Sequence, residues 1–307
     1  MQEAVVISRG RSCALWGMLL LYVVARICQL YADQLPTLLI VILHVIPPAA
    51  FAIVHGSALY GSRGMSMFAV FCLGFGTLAE SLSLRIGFPF GRYHFTDVMG
   101  PKLFQLPVLL ALAYLGIGYV AWALALLILG YDRKPIRGMR AFALPILAAL
   151  VMTSWDLSMD PVWAALDHAW VWEEGGAFFG VPITNFFGWF VTAYLYYQAF
   201  ALYCRRRPVR IPTARQNFWL TAILVYAVCA LGNLLILKQP MAPSVVTDAA
   251  GRHWATADIL RSCVLVSLLV MVPFPLVAWF RVRKRSGGAS DPTSARSPDS
   301  EVTVLIR

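Results

Sequence analysis

Three acidic residues stand apart because of where they fall. Glu80, Asp156 and Asp160 lie at the ends of long apolar runs, in a chain with only 15 acidic residues among 307. Keeping an ionisable side chain inside a membrane-length apolar run is costly, so each is a functional-site candidate. Asp156 and Asp160 are four apart and share a helix face. Two like charges repel there unless a cation, a shared proton or an arginine intervenes. Asn185 opens another apolar run and Asn233 approaches the end of a further one. Nearby stand Arg92, Tyr93 and His94 in RYHF, Trp155 in WDLSMDP and Trp189 in GVPITNFFGW. Carboxyls, an arginine, a Tyr-His pair, an asparagine and many aromatics suit acid–base chemistry on an apolar substrate, with no cofactor. Residues 155–200 hold 14 aromatics, enough for an interfacial belt or for a wall around a long apolar or cationic ligand.

Each candidate also has a structural role open to it. Glu80 can pair with Arg85 or Arg92, the two aspartates can pair with Arg92, and His94 can be an ordinary interfacial histidine. Asp167, His168, Glu173 and Glu174 read as solvated loop residues. Other chemistries lack their residues. The five histidines show no H-x-x-x-H or H-x-x-H-H spacing, so di-iron ligation has no ligands. No G-x-G-x-x-G or G-x-S-x-G is present. The six cysteines sit in or beside apolar runs without C-x-x-C spacing, as packing residues rather than zinc ligands or disulfide partners. The expected metal and cofactor content is none.

The elements that must position these residues follow from composition. The chain is 60% hydrophobic and 13% charged, with mean hydropathy +0.71, about half the charge of a soluble domain. That excludes a disordered chain, a disulfide-rich secreted fold and a soluble nucleic-acid binder. Eight runs are long enough to cross a bilayer: 13–31, 35–54, 64–84, 106–130, 139–158, 183–203, 216–237 and 256–280. The expected fold is therefore all-α, a polytopic transmembrane bundle of about eight spans. With the N-terminus cytoplasmic, the inner segments hold 18 Lys and Arg and the outer loops five. This positive-inside bias places both termini in the cytoplasm and accounts for the net charge of +10 without a nucleic-acid partner. Residues 1–281 form the expected transmembrane domain. Residues 282–307, with their Gly/Ser/Pro-rich stretch, form a flexible cytoplasmic tail. The expected setting is multi-pass in the cell membrane, with the lipid bilayer as partner. Glu80, Asp156, Asn185 and Asn233 all then fall near the outer ends of spans.

Glu80 and the run Gly87-Phe88-Pro89-Phe90-Gly91-Arg92-Tyr93, followed by Gly100 and Pro107, resemble one signature of an integral-membrane carotenoid biosynthesis family. Trp155-Asp156, Asp160-Pro161, the Trp170/Trp172 pair and Gly180 to Trp189 are similar to its second. The likeness is strongest over residues 80–189. His94 stands where the family pattern has a second aromatic. The family includes hydratases of acyclic ends of γ-carotene-type and bacterioruberin-type carotenoids. The resemblance thus implies a carotenoid or other long isoprenoid substrate, with further carotenoid biosynthesis enzymes as possible partners. It implies hydration of a terminal C1=C2 bond: protonation at C2 leaves a tertiary cation at C1, which water captures. Such a reaction needs a carboxyl that stays protonated at neutral pH, which burial favours. On this reading Asp156 or Glu80 is the acid, and Asp160 orients water with help from Asn185. Arg92 and Tyr93 hold the carboxylates while Trp155 and Trp189 face the cation, and acid and base can exchange roles.

Two other functions compete. A membrane prenyltransferase could hold Mg²⁺ at D-x-x-x-D, but it would carry a second motif of N-D-x-x-D type, absent here. A non-catalytic lipid or carotenoid carrier would need an apolar groove and no carboxyls.

Overall fold

The computed structural model describes residues 4–5, 7–130, 136–205, 211–212, 215–238 and 243–287. Among these the chain is mostly helical. The helices are α1 (Arg9–Cys28), α2 (Thr37–Ile86), α3 (Val108–Leu129), α4 (Arg140–Ala165), α5 (Ile183–Cys204), α6 (Arg215–Gly232), α7 (Thr256–Val266) and α8 (Pro273–Gly287). The basic residues Arg133, Lys134, Arg206, Arg207, Arg210, Arg296 and Arg307, and the tail over 288–307, lie outside the described residues.

All eight apolar runs fall on helices, yet six described helices, not eight, are long and apolar enough to cross a membrane. Two physical reasons account for the difference. The runs at 35–54 and 64–84 share one 50-residue element, α2, interrupted at Gly61 with φ 72° and ψ 170°. Only glycine enters that backbone region freely, and the chain folds back there. His55 and Phe68 both pack on the ring of Tyr119, with centroids 5.6 and 5.7 Å away. Thirteen residues of straight helix would hold them about 20 Å apart. The run at 183–203 forms α5, whose Thr, Asn, Gln and four Tyr dilute its hydropathy. The run at 256–280 is one stretch, Thr256–Lys284, in which a π turn at Ser267–Met271 joins α7 to α8 ahead of Pro273. Within a bilayer such segments must satisfy their own backbone polar groups, which helices do.

α3 is the central helix. Residues Tyr119 to Leu127 are all 0–1% exposed, as expected of a helix apolar all round. α2, α4, α6 and α8 pack around it, and α5 packs on α4 and α2. Leu20, Val70, Leu78, Phe187, Leu269 and Phe280 point outward, the arrangement of side chains that meet lipid.

Four short strand pairs depart from the all-α expectation. Tyr93–Phe95 runs antiparallel to Trp170–Trp172, Lys102–Leu103 to Leu106–Pro107, and Val245–Thr247 to His253–Ala255, while Ala4–Val5 pairs in parallel with Ile211–Pro212. The first pair joins the α2–α3 loop to the α4–α5 loop and covers the end of the bundle where the acidic residues gather.

Candidate functional site

Asp156 and Asp160 lie one turn apart on α4 and face the first turn of α5. Pro182 precedes that turn in extended conformation and delivers Asn185 to the aspartates. The Asn185 amide donates to Asp156 Oδ2 at 3.1 Å and to Asp160 Oδ2 at 2.6 Å. The repulsion anticipated between the aspartates is thus bridged by a neutral amide. The Trp170 indole N–H donates to Asp160 Oδ1 at 2.7 Å, so both oxygens of Asp160 accept a hydrogen bond.

Glu80 arrives from α2 and Tyr114 from α3, with the Tyr114 hydroxyl donating to Glu80 Oε1 at 2.5 Å. Glu80 Oε2 is buried and makes no hydrogen bond within the protein. Glu80, Asp156, Asp160 and Asn185 are all buried and line one small cavity with Tyr93, Trp170, Trp172 and Trp189. No Lys or Arg lies within salt-bridge distance of these carboxyls among the described residues. The alternatives in which Glu80 or the aspartates pair with an arginine do not occur there.

The strand pair explains which loop residues reach the cavity. Side chains alternate across a strand. Tyr93, Phe95, Trp170 and Trp172 turn inward while His94 turns out. His94 Nδ1 lies 3.5 Å from Glu173 Oε1, and Arg92 Nε lies 3.9 Å from Glu174 Oε1, all four side chains at least half exposed. Arg92 and His94 therefore sit outside the cavity, and Arg92 does not reach the carboxylates. Tyr93 does line it. Close approach at Gly188 seats α5 against the 89–90 loop, where a Cβ would come within 2.7 Å of Phe90. Phe90 then stacks on Trp189 with centroids 4.8 Å apart, and Trp189 meets Tyr114 at 4.5 Å.

Two further cavities flank the first. One, of about 80 Å³, is lined mainly by apolar side chains of α1–α4 and α6, Trp155 among them, with Arg26, His44 and Asn233 also in its wall. It shares Leu110, Met159 and Trp170 with the carboxyl cavity. Trp155 thus belongs to this apolar space. The other flank lies at the loop end of the bundle, under the hairpin of Val245–Thr247 and His253–Ala255.

Sequence reasoning missed Tyr114 as a site residue, and noted Phe90, Trp170 and Trp172 only as parts of motifs. The period-two pattern of Y-H-F and W-V-W was a usable signal for the inward aromatics. Nothing in the local sequence distinguishes Tyr114, one of two tyrosines in the strongly apolar α3, from a packing tyrosine.

No curated protein and no solved structure matches the chain. A family model described as carotenoid biosynthesis protein matches residues 37–251. That range runs from the start of α2 to the turn of the last hairpin and takes in every residue of the carboxyl cavity. With apolar membrane-length helices, a buried acidic cluster and a match over more than two thirds of its length, the chain belongs to the carotenoid biosynthesis protein family.

Proposed function

We propose that the protein hydrates the terminal C1=C2 double bond of an acyclic carotenoid end group without a cofactor. The observation that carries this reading is the sharing of one buried cavity by three carboxyls, with Asn185 tying two of them. Carboxyls crowded together without a cation favour sharing a proton, and a buried proton donor is what attack on an unactivated alkene needs. Glu80 is assigned as the acid, because its Oε2 has no protein partner and is free to address the substrate. Asp160, held by Trp170 and Asn185, orients the water and receives its proton. Asp156 shares the Asn185 amide and positions it. Trp189, with Tyr93 and Tyr114, offers ring faces to the tertiary cation. The isoprenoid chain occupies the adjoining apolar cavity past Leu110 and Met159, with Trp155 in its wall.

Counting the fold-back at Gly61 and α5 as crossings gives eight spans, with both termini cytoplasmic and the carboxyl cavity toward the opposite face of the cell membrane. A carrier would also use the apolar cavity but would have no need of a buried acidic cluster. Expression in cells that make lycopene or γ-carotene, followed by mass spectrometry, tests the reading. A pigment heavier by one water is expected. A C5 addition would instead indicate a prenyltransferase, and unchanged pigment a carrier or a different substrate.

A further inference from the structure

The carboxyl cavity has the apolar cavity on one side and the loop-end cavity on the other, and Trp172 is the only lining residue shared with the latter. The loop-end cavity is also the roomier, with a volume of about 130 Å³ against about 20 Å³ around the carboxyls. The smaller figure is room for about one water. The Trp172 indole N–H is buried and directed at Asp160, close enough to act on its carboxylate but without a well-formed hydrogen bond there. A buried donor without a partner costs about 1–3 kcal/mol, so its retention beside Asp160 calls for a ligand that accepts from it.

We infer that Trp172 is a further catalytic residue. Its N–H holds the attacking water against Asp160, and its ring separates the carboxyls from the loop-end cavity that supplies that water. The inference rests on the hydration reading and adds where the second reactant binds and enters. The step balances as follows. Glu80 gives its proton to C2, the alkene π pair forms the C2–H bond, and C1 becomes cationic. A lone pair of the water held by Trp172 forms the C1–O bond, and Asp160 takes the released proton. Return of a proton from Asp160 to Glu80 restores the site. Without a positioned water, the cation loses a proton from C2 or from a C1 methyl and reverts to alkene.

The test is the partition between capture and reversal, read in D₂O. Membranes containing the wild-type protein should convert an acyclic carotenoid to an alcohol carrying deuterium at C2. Trp172→Phe keeps an aromatic ring but removes the N–H together with the five-membered half of the indole. It should slow hydration by at least about tenfold while deuterium accumulates in recovered alkene. Ala249→Trp, on the exposed turn that borders the loop-end cavity, should slow hydration in the same manner by blocking supply. Hydration by Trp172→Phe at the wild-type rate overturns the inference and leaves the hydratase reading standing. So does loss of hydration and deuterium uptake together in a variant whose gel-filtration profile and melting temperature are unchanged. A wild-type protein that neither hydrates nor incorporates deuterium overturns both.

Discussion

At the scale of single residues, Asn185 organises the site: one amide group spans two aspartates from different depths of α4. Glu80→Gln and Asp160→Asn are each expected to lower hydration by about 10²–10⁴-fold, the range for losing a general acid or base. Product formation per unit of folded protein measures this. Full activity in both variants would remove the acid–base mechanism. Tyr114→Phe takes one hydrogen bond from Glu80 and should cost about tenfold. The contrast lies in Arg92→Ala and His94→Ala. Their partners are exposed glutamates, and exposed pairs contribute at most about 1 kcal/mol. Both should stay within about fivefold of wild type. The acidic trio was legible from the sequence because acids are scarce in this chain. The division between Tyr93 and His94 was not, because it depends on a strand pair formed across the 74 intervening residues 96–169.

At the scale of elements, the bundle depends on a few backbone devices. Gly61 reverses α2, and a side chain there must adopt a positive-φ extended backbone open essentially to glycine alone, at a cost of about 1–3 kcal/mol. Gly61→Leu should therefore lower the melting temperature in detergent by a few degrees while the carboxyl cavity, at the far end of the helices, keeps its residues. The hairpin over the loop-end cavity has its own titratable clasp. Partial burial disfavours the charge of Asp248, but hydrogen bonds from Trp254 and from the backbone and side chain of Arg252 outweigh this and hold its carboxyl below its ordinary value. A carboxyl whose value is depressed on folding stabilises the fold above its unfolded value, about 3.9. That contribution fades as pH falls through the lower folded value. Hydrogen exchange at Ala250 and Arg252, whose amides donate to Asp248 Oδ1, should show protection at pH 6 that is reduced near pH 3. Asp248→Asn should show the reduced protection at both. The break between the runs at 35–54 and 64–84, with Arg63 in it, announced the reversal, but not that a single glycine makes it inside one 50-residue element.

At the scale of the whole molecule, the proposed orientation makes a geometric prediction. Cysteines introduced singly at Arg63 and Ser286 in a cysteine-free background should react with a membrane-impermeant maleimide from the cytoplasmic side. Cysteines at Thr96 and Glu174 should react from the opposite side. Labelling of Thr96→Cys and Arg63→Cys from one and the same side would refute the eight-span reading. On the proposed function each reactant has its own direction: an isoprenoid from the cavity between the helices, and water from beneath the loops.

The sequence by itself determined that this chain is an apolar helical membrane protein of the carotenoid biosynthesis family, and that Glu80, Asp156, Asp160 and Asn185 are its unusual residues. Hydropathy and the cost of placing charge in an apolar run are local quantities, readable one segment at a time. Tertiary structure alone decided that these four share a cavity and that Tyr114, Trp170 and Trp172 complete it, while Arg92 and His94 remain at the surface. Those outcomes depend on which helix ends and loops meet, and the pairing energies that bring them together come from residues far apart in the chain.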